Sequence, residues 1–277
     1  MKAEDLPQKL IKTFLPREMR LRANRWYKFH TADNYIVSYP KCGRTWLRVL
    51  LSNYYIERYG LKSGSLLDFA NLHQQNRDIP KIFFTHYIKN TAITPEDINT
   101  DIPKVFKDTP VFLVRDPRDV IVSLYFQRTR RDMNYTGSLV DFIYGESGGL
   151  ATLIRYYNVW ADYLTGAKNY LLIRYEDLCT GTSAELTRLL QHLGHTPDGG
   201  VVRYAVEISS FERMKMRERN NEYNRSWLRA GDSNDMESFK VRRGKIGGYT
   251  DYLEDADIER INRLIRNTLT PEFGYSG

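Results

Sequence analysis

Cysteine is scarce in this 277-residue chain: Cys42 and Cys179 are the only two. They give no disulfide framework, and a reducing compartment, the cytoplasm, is the expected setting. No apolar run approaches the roughly 18 residues needed to cross a bilayer, so no transmembrane segment is expected. The N-terminus also lacks the apolar core and cleavage site of a signal peptide. His, Cys and carboxylate residues nowhere cluster at metal-ligand spacing, and no metal is expected. Internal repeats and low-complexity segments are absent. Neither charge dominates: 41 Lys and Arg stand against 34 Asp and Glu, a net charge of +7. That favours an anionic ligand but is too modest to imply nucleic acid. The Walker pattern G-x-x-x-x-G-K-[ST] is missing too, because Lys41 precedes Gly43 and no glycine comes earlier. An ATPase loop is thereby excluded.

What remains is a composition, 42% hydrophobic and 13% aromatic, that fits one sizeable core. A single domain over 1–277 is expected, with 1–33 as a basic lead-in packed on it. In that lead-in Leu6, Leu10, Ile11, Phe14 and Leu15 can share a helical face before Pro16 ends it. Arg17, Arg20, Arg22, Arg25 and Lys28 follow. An ordinary helix with a solvated basic face fits them, and a peripheral membrane contact stays open.

The chain is organised around Tyr35-Ile36-Val37-Ser38-Tyr39-Pro40-Lys41-Cys42-Gly43-Arg44-Thr45-Trp46. Its β-branched and aromatic start reads as a buried strand, Pro40 stops it, Gly43 permits a tight turn, and a helix from Thr45 runs to about Tyr59. Free N–H groups, the helix dipole and Lys41 then converge on one spot, a phosphate-binding geometry.

Three more strands are expected: Lys81–His86, Val111–Arg115 and Tyr170–Tyr175. His86 falls at a carboxyl end, where α/β sheets collect chemistry, although a lone histidine can equally cap a strand. After Arg115, Asp116 as N-cap, Pro117 and Asp119 make a helix start. Residues 61–80 read as a loop or short helix over the site, and 128–149 as a mobile segment beside it. Helices are expected at 150–165, 182–193, 199–207 and 254–269. Strands alternating with helices imply a three-layer α/β fold, a mostly parallel sheet flanked by helices.

Y-P-K-C-G-R-T-W, at 39–46, closely resembles the 5′-phosphosulfate loop of sulfotransferases that use 3′-phosphoadenosine 5′-phosphosulfate (PAPS), commonly Y-P-K-[SA]-G-T-T-W. R-D-P-R-D-V-I-V-S, at 115–123, resembles their 3′-phosphate motif. Y-E-D-L at 175–178, S-F-x-x-M-K at 210–215 and R-R-G-K-I-G-G-Y at 242–249 resemble three further family elements in the family's order. The resemblance implies a P-loop-like sulfotransferase fold and PAPS as donor co-substrate. It implies that Lys41, Cys42, Gly43, Arg44, Thr45 and Trp46 line the phosphosulfate loop. Arg115, Ser123, Arg242, Arg243 and Gly244 would hold the 3′-phosphate, and Tyr175, Phe211 and Met214 would lie about the adenine. His86 is implied as the catalytic base, with Lys41 stabilising the leaving phosphate.

Two departures stand out. The family's K-T-H element reads Phe84-Thr85-His86 here, and Gly248-Tyr249 replaces the usual Asp-Trp pair. Arg44, where relatives carry threonine, either returns the charge missing at Phe84 or points to solvent beside a carboxylate. Cys42 beside Lys41 and a helix start invites a thiolate reading, set against a small loop residue.

The expected reaction is sulfuryl transfer to a hydroxyl or amine of a small-molecule acceptor, with a glycan or glycolipid as alternative. A small-molecule kinase and a nucleic-acid binder using the arginines at 128–131 and 240–245 are rivals of another class, and no nucleic acid is expected as partner. Oligomeric state is not legible. Acceptor loops are expected at 61–80, 128–149 and 220–240, where Asp132, Asp141, Glu146, Glu222, Asp232 and Asp235 leave a cationic acceptor open.

Overall fold

The computed structural model describes residues 16–62, 66–103, 106, 110–223, 228, 230–232 and 234–275. The helical face expected on Leu6 to Leu15 lies outside the described residues.

Four short strands make the sheet: β1 (Asn34–Ser38), β2 (Ile82–Thr85), β3 (Pro110–Val114) and β4 (Leu171–Arg174). They run parallel in the order β2-β1-β3-β4. Every residue of β1 and β3 is buried, so both faces of the sheet centre are covered, as continuous Val/Ile/Leu/Phe runs require. Helices supply the cover and complete the three layers expected from the alternation of elements. Successive connections leave β1 toward opposite edges, β2 on one side and β3 on the other. The carboxyl ends of β1 and β3 therefore frame a topological switch point, where open α/β sheets form crevices.

The helices are α1 (Arg17–Thr31), α2 (Arg44–Tyr59), α3 (Pro117–Phe126), α4 (Leu139–Tyr144) and α5 (Leu150–Thr165). They continue with α6 (Tyr175–Thr180), α7 (Thr182–His192), α8 (Gly199–Ile208), α9 (Phe211–Arg219) and α10 (Asp255–Thr268). Gly60 ends α2 in the left-handed region at φ 59°, as its position suggested. Trp160 of α5 stacks on Phe112 of β3 with ring centroids 5.3 Å apart, anchoring that helix to the sheet.

Pro16 is the N-cap of α1, whose Phe29 packs edge-on against Phe106 at 4.9 Å. Proline serves there because the first helical amides need no acceptor. Residues 128–149, expected as a mobile segment, hold two helical pieces on either side of an irregular stretch at 132–138. A π-helical turn over Gln127–Arg131 extends α3, and α4 follows with Ser138 capping it. Gly148 and Gly149 are buried in this packing: a Cβ on Gly148 would meet the Thr91 carbonyl oxygen.

Candidate active site

One cleft of about 330 Å³ opens at the switch point. Its floor is the loop after β1. Lys41 takes a left-handed φ of 75°, and Gly43 follows at φ 95°. A Cβ on Gly43 would come within 2.6 Å of the Tyr175 ring, so glycine is what lets the loop lie on that aromatic face. The Leu47 amide is the first in α2 to bond back, to Gly43 at 3.1 Å. The amides of Arg44, Thr45 and Trp46 before it have no acceptor within the helix, as at any helix start. They stand at its positive end.

The cleft wall brings together Lys41, Gly43, Arg44, Thr45, Trp46, His86, Arg115 and Ser123. Tyr175, Phe211, Met214, Arg242, Arg243 and Gly244 complete the set anticipated from sequence. Cys42 is the exception. Its side chain is fully buried, with Sγ 3.3 Å from the Tyr157 hydroxyl. Burial pushes its thiol up to about 12, so of the two readings the small loop residue fits and the thiolate does not. Only the Cys42 backbone can serve a ligand.

Lys41 donates to Gln127 Oε1 at 3.1 Å. Burial, then the charges of Lys240, Arg131, Arg242 and Arg115, hold its ammonium well below the usual lysine range. An anion arriving here offsets both the cost of burying the ammonium and its repulsion from those charges.

His86 follows β2 directly. Register pairs Val37 with Thr85, which sets the ring beside the end of β1. Its Nδ1 lies 2.7 Å from the Ser38 carbonyl oxygen, and a carbonyl only accepts, so Nδ1 carries the proton and Nε2 is the basic nitrogen. Burial, then the Arg44 charge, pulls its pKa well below the ordinary histidine value. The Tyr156 hydroxyl donates to the His86 backbone carbonyl at 2.8 Å and fixes the residue from below.

Arg44 does not take the solvent-facing placement left open by sequence. Its Nη1 is buried without a hydrogen-bond partner among the described residues, and burial brings its pKa down to about 9. Phe84 is occupied from the other side, with the Arg48 guanidinium 4.4 Å above its ring.

Across the cleft, Arg115 stacks over Tyr175 at 4.2 Å and donates to the backbone carbonyls of Lys41 (3.5 Å) and Lys245 (3.1 Å). Its Nε is buried and unpaired. Arg242 lies 4.4 Å over Phe126 and bonds Glu237 at 2.6 Å, while Arg243 reaches Asp251 at 2.8 Å. Gly244, at φ 63°, lies against Phe211; a Cβ there would be 2.5 Å from the ring. Trp46 donates to the Ser209 carbonyl at 2.9 Å and meets Tyr175 edge-on. Trp46 and Phe211 thus offer aromatic faces at one end of the cleft, the other end being cationic.

Sequence reasoning passed over four contributors. Asp119 accepts from the amides of Gly247 (2.9 Å) and Tyr249 (3.0 Å) and pairs with Arg115 at 3.3 Å. The loop bearing Gly248-Tyr249 is therefore docked through backbone, with Arg118 lying 5.0 Å over the Tyr249 ring. Gln127, Thr91 and Lys240 also line the cleft. Of the acceptor loops expected, 128–149 contributes Asp132 and 220–240 contributes Lys240. Among the described residues of 61–80, none reaches the wall; Leu66 packs instead with Val49 and Met214.

Comparison with known proteins gives a consistent result. The chain is 25% identical over 280 residues to flavonol 3-sulfotransferase of Flaveria bidentis, spanning 91% of this chain and 86% of that one. It is 21% identical over 260 residues to the amine sulfotransferase of Oryctolagus cuniculus, spanning 88% and 82%. The crystal structure of mouse sulfotransferase SULT7A1 complexed with PAP superposes with a TM-score of 0.59 at 20% identity, over 86% of this chain and 84% of that one, and shares its fold. The family model of the sulfotransferase domain matches residues 31–272, and the chain belongs to that family.

Proposed function

We propose that this enzyme moves the sulfuryl group of PAPS to a hydroxyl or amine of a small-molecule acceptor, leaving adenosine 3′,5′-bisphosphate (PAP). The carrying observation is a His86 whose Nδ1 is held by Ser38 and whose Nε2 has no hydrogen bond among the described residues, in the same cleft as Lys41 and the amides that open α2. The relatives named for flavonol and amine substrates support a small-molecule acceptor and an O- or N-nucleophile. Relatives named cytosolic sulfotransferases support the cytoplasm as its place of work.

The cleft's own features fit the donor. Arg115 offers a buried unpaired Nε, and Gly43 and Gly244 leave room that a side chain would fill. Arg115, Ser123, Arg242, Arg243 and the Gly244 backbone would hold the 3′-phosphate, and Trp46, Tyr175, Phe211 and Met214 the adenine. Bound PAPS supplies an activated sulfuryl group. His86 Nε2 takes the acceptor proton as the acceptor–sulfur bond forms and the bond from sulfur to the bridging phosphate oxygen breaks. Lys41 and the amides of Arg44 and Thr45 offset the charge left on that phosphate. Arg44 supplies from the loop side the charge absent at Phe84, as a planar fork suited to sulfonate oxygens. We read the chain as one domain, with α1 packed on it.

The test is mass spectrometry of acceptor mixtures incubated with PAPS, alongside thermal stabilisation by PAP, ATP with magnesium, and an oligonucleotide. Stabilisation by PAP alone together with a mass gain of one sulfuryl group supports the reading. Stabilisation by ATP with magnesium, or by the oligonucleotide only, sinks it.

A further inference from the structure

The part of the cleft around His86 carries more positive charge than a donor site accounts for. Lys240, outside every motif, lines it from the segment before the Arg242-Arg243 pair. Among neighbouring charges it acts most strongly on Lys41, and after Arg44 it acts most strongly on His86. Arg131 and Arg44 in turn press on Lys240, and with burial bring its ammonium down to about 8.

Both nearby carboxylates are engaged elsewhere. Glu218 accepts from the backbone amides of Lys240 (2.5 Å) and Val241 (2.8 Å) and meets Arg131 at 3.5 Å. Asp132 accepts from Gln127 Nε2 at 2.8 Å. No hydrogen bond or ion pair holds the Lys240 ammonium among the described residues, although Lys41 has Gln127. Packing a third cation beside Lys41 and Arg44, with Asp132 and Glu218 near it but each bonded to other groups, costs stability that a ligand anion would offset.

The rest of the lining mixes polar residues, Thr91, Gln127 and Asp132 among them, with small or aliphatic ones, Pro40, Leu124 and Val241. The aromatic residues of the cleft are Trp46, Tyr175 and Phe211, grouped about the nucleotide end. A large apolar acceptor would find few partners here, whereas an oxyanion would find a waiting ammonium.

We propose that the acceptor carries an oxyanion, a carboxylate or a phosphate or sulfate ester, close to the nucleophile that is sulfated, and that Lys240 binds it. This rests on the sulfotransferase reading and narrows it from small molecules in general to acidic ones. The cation left open by the loop carboxylates is thereby replaced by its opposite. Lys240 selects the acceptor, while Arg44 serves the group in transit.

The experiment compares matched acceptors differing in one charge: 4-hydroxybenzoate and 4-hydroxyphenyl phosphate against 4-hydroxybenzyl alcohol, and glucose 6-phosphate against glucose. Wild type should favour the charged member of at least one pair by about ten- to a hundredfold in kcat/KM, the value of one charge-assisted contact. In Lys240→Met that ratio should fall to near unity, through KM, and Lys240→Arg should restore part of it. Melting temperatures of both variants with PAP report whether the fold and donor site persist. A second readout needs no turnover: binding of the same compounds to the enzyme–PAP complex, followed by tryptophan fluorescence. The proposal is overturned if wild type shows no charge preference by either readout. It is overturned equally if Lys240→Met lowers kcat alike for both members of a pair, which would place Lys240 on the sulfuryl group. Failure of PAP itself to bind would instead remove the sulfotransferase reading, and the proposal with it.

Discussion

His86 Nδ1 and the Ser38 carbonyl oxygen stand 2.7 Å apart, at the adjoining ends of β2 and β1. One backbone oxygen thereby decides which ring nitrogen is basic and aims it into the cleft. His86→Ala should lose about 10²–10⁴-fold in kcat, the usual worth of a positioned base. PAP affinity should stay near wild type, because the base faces the acceptor. A variant that keeps near-full turnover at neutral pH would leave His86 a structural role only.

The acid limb of kcat/KM should lie below the ordinary histidine value. Burial and the charges of Arg44, Lys240 and Arg48 all disfavour the imidazolium, against the Ser38 bond that favours it. A lower pKa keeps the base unprotonated to lower pH, so activity should persist under mildly acid conditions. Arg44→Gln removes the largest of those charges and should move the limb upward. Stability follows the same sign: between the depressed folded value and about 6.5 the unfolded chain binds the extra proton. This contribution is complete above about 6.5 and is lost as pH falls toward the folded value. An unshifted limb in Arg44→Gln would refute the coupling.

Arg44→Ala should cost roughly 2.7–4 kcal/mol, seen mainly in kcat, as for loss of one transition-state donor. PAP lacks the sulfonate and should bind the variant about as well as wild type. Phe84→Lys should restore part of the loss in the Arg44→Ala background. In the wild-type background it should instead destabilise, since Phe84 is buried beneath Arg48 and a lysine would face that guanidinium. Unchanged kcat at saturating donor in Arg44→Ala would end this reading.

PAP should bind more tightly than adenosine 5′-monophosphate, with each charge-assisted bond to the 3′-phosphate worth about 1.5–3 kcal/mol. Arg115→Ala should bring the two nucleotides toward equality in a calorimetric titration. Equal affinities in the wild type would argue against the assignment.

Gly244→Ala should weaken PAP binding and lower the melting temperature. Its φ of 63° strains any side chain, and the added methyl would displace Phe211. The backbone part alone costs more than about 0.4–1 kcal/mol. Wild-type affinity for PAP in this variant would show that Phe211 has no part in holding the base.

Much of the architecture was legible because it is written locally. Tyr35-Ile36-Val37 at the centre of β1 and the whole of 110–114 are apolar, as central parallel strands must be, and Asp116, Pro117 and Asp119 together announce α3. The cleft's anionic preference was legible through Lys41, Arg115 and the Arg242-Arg243 pair. Contacts between distant segments were not. Arg44 could face either way, and the burial, the charge of Arg48 and the hydroxyl of Tyr156 that act on it are set by the fold and marked in no sequence pattern. Lys240 sits between Phe239 and Val241 with no pattern to mark it, and only folding sets it against Lys41. Asp119 looked like a first-turn carboxylate serving the helix dipole; its partners are 128 and 130 residues away. Cys42 kept two readings for the same reason: burial, which is non-local, raises its thiol and outweighs the Tyr157 hydrogen bond and the Arg115 charge that lower it.

Those two long bonds from Asp119 also order events during synthesis. The strands of the described residues end at Arg174, so the sheet can assemble while the segments after it are still being made. Residues 247 and 249, which close the cleft over Arg115, leave the ribosome well after the last of those strands. The same late stretch carries Ile261, Ile265 and Phe273, which complete the core, Phe273 against Phe112 of β3. Donor recognition and the closing of the core would then arrive together, in one late step.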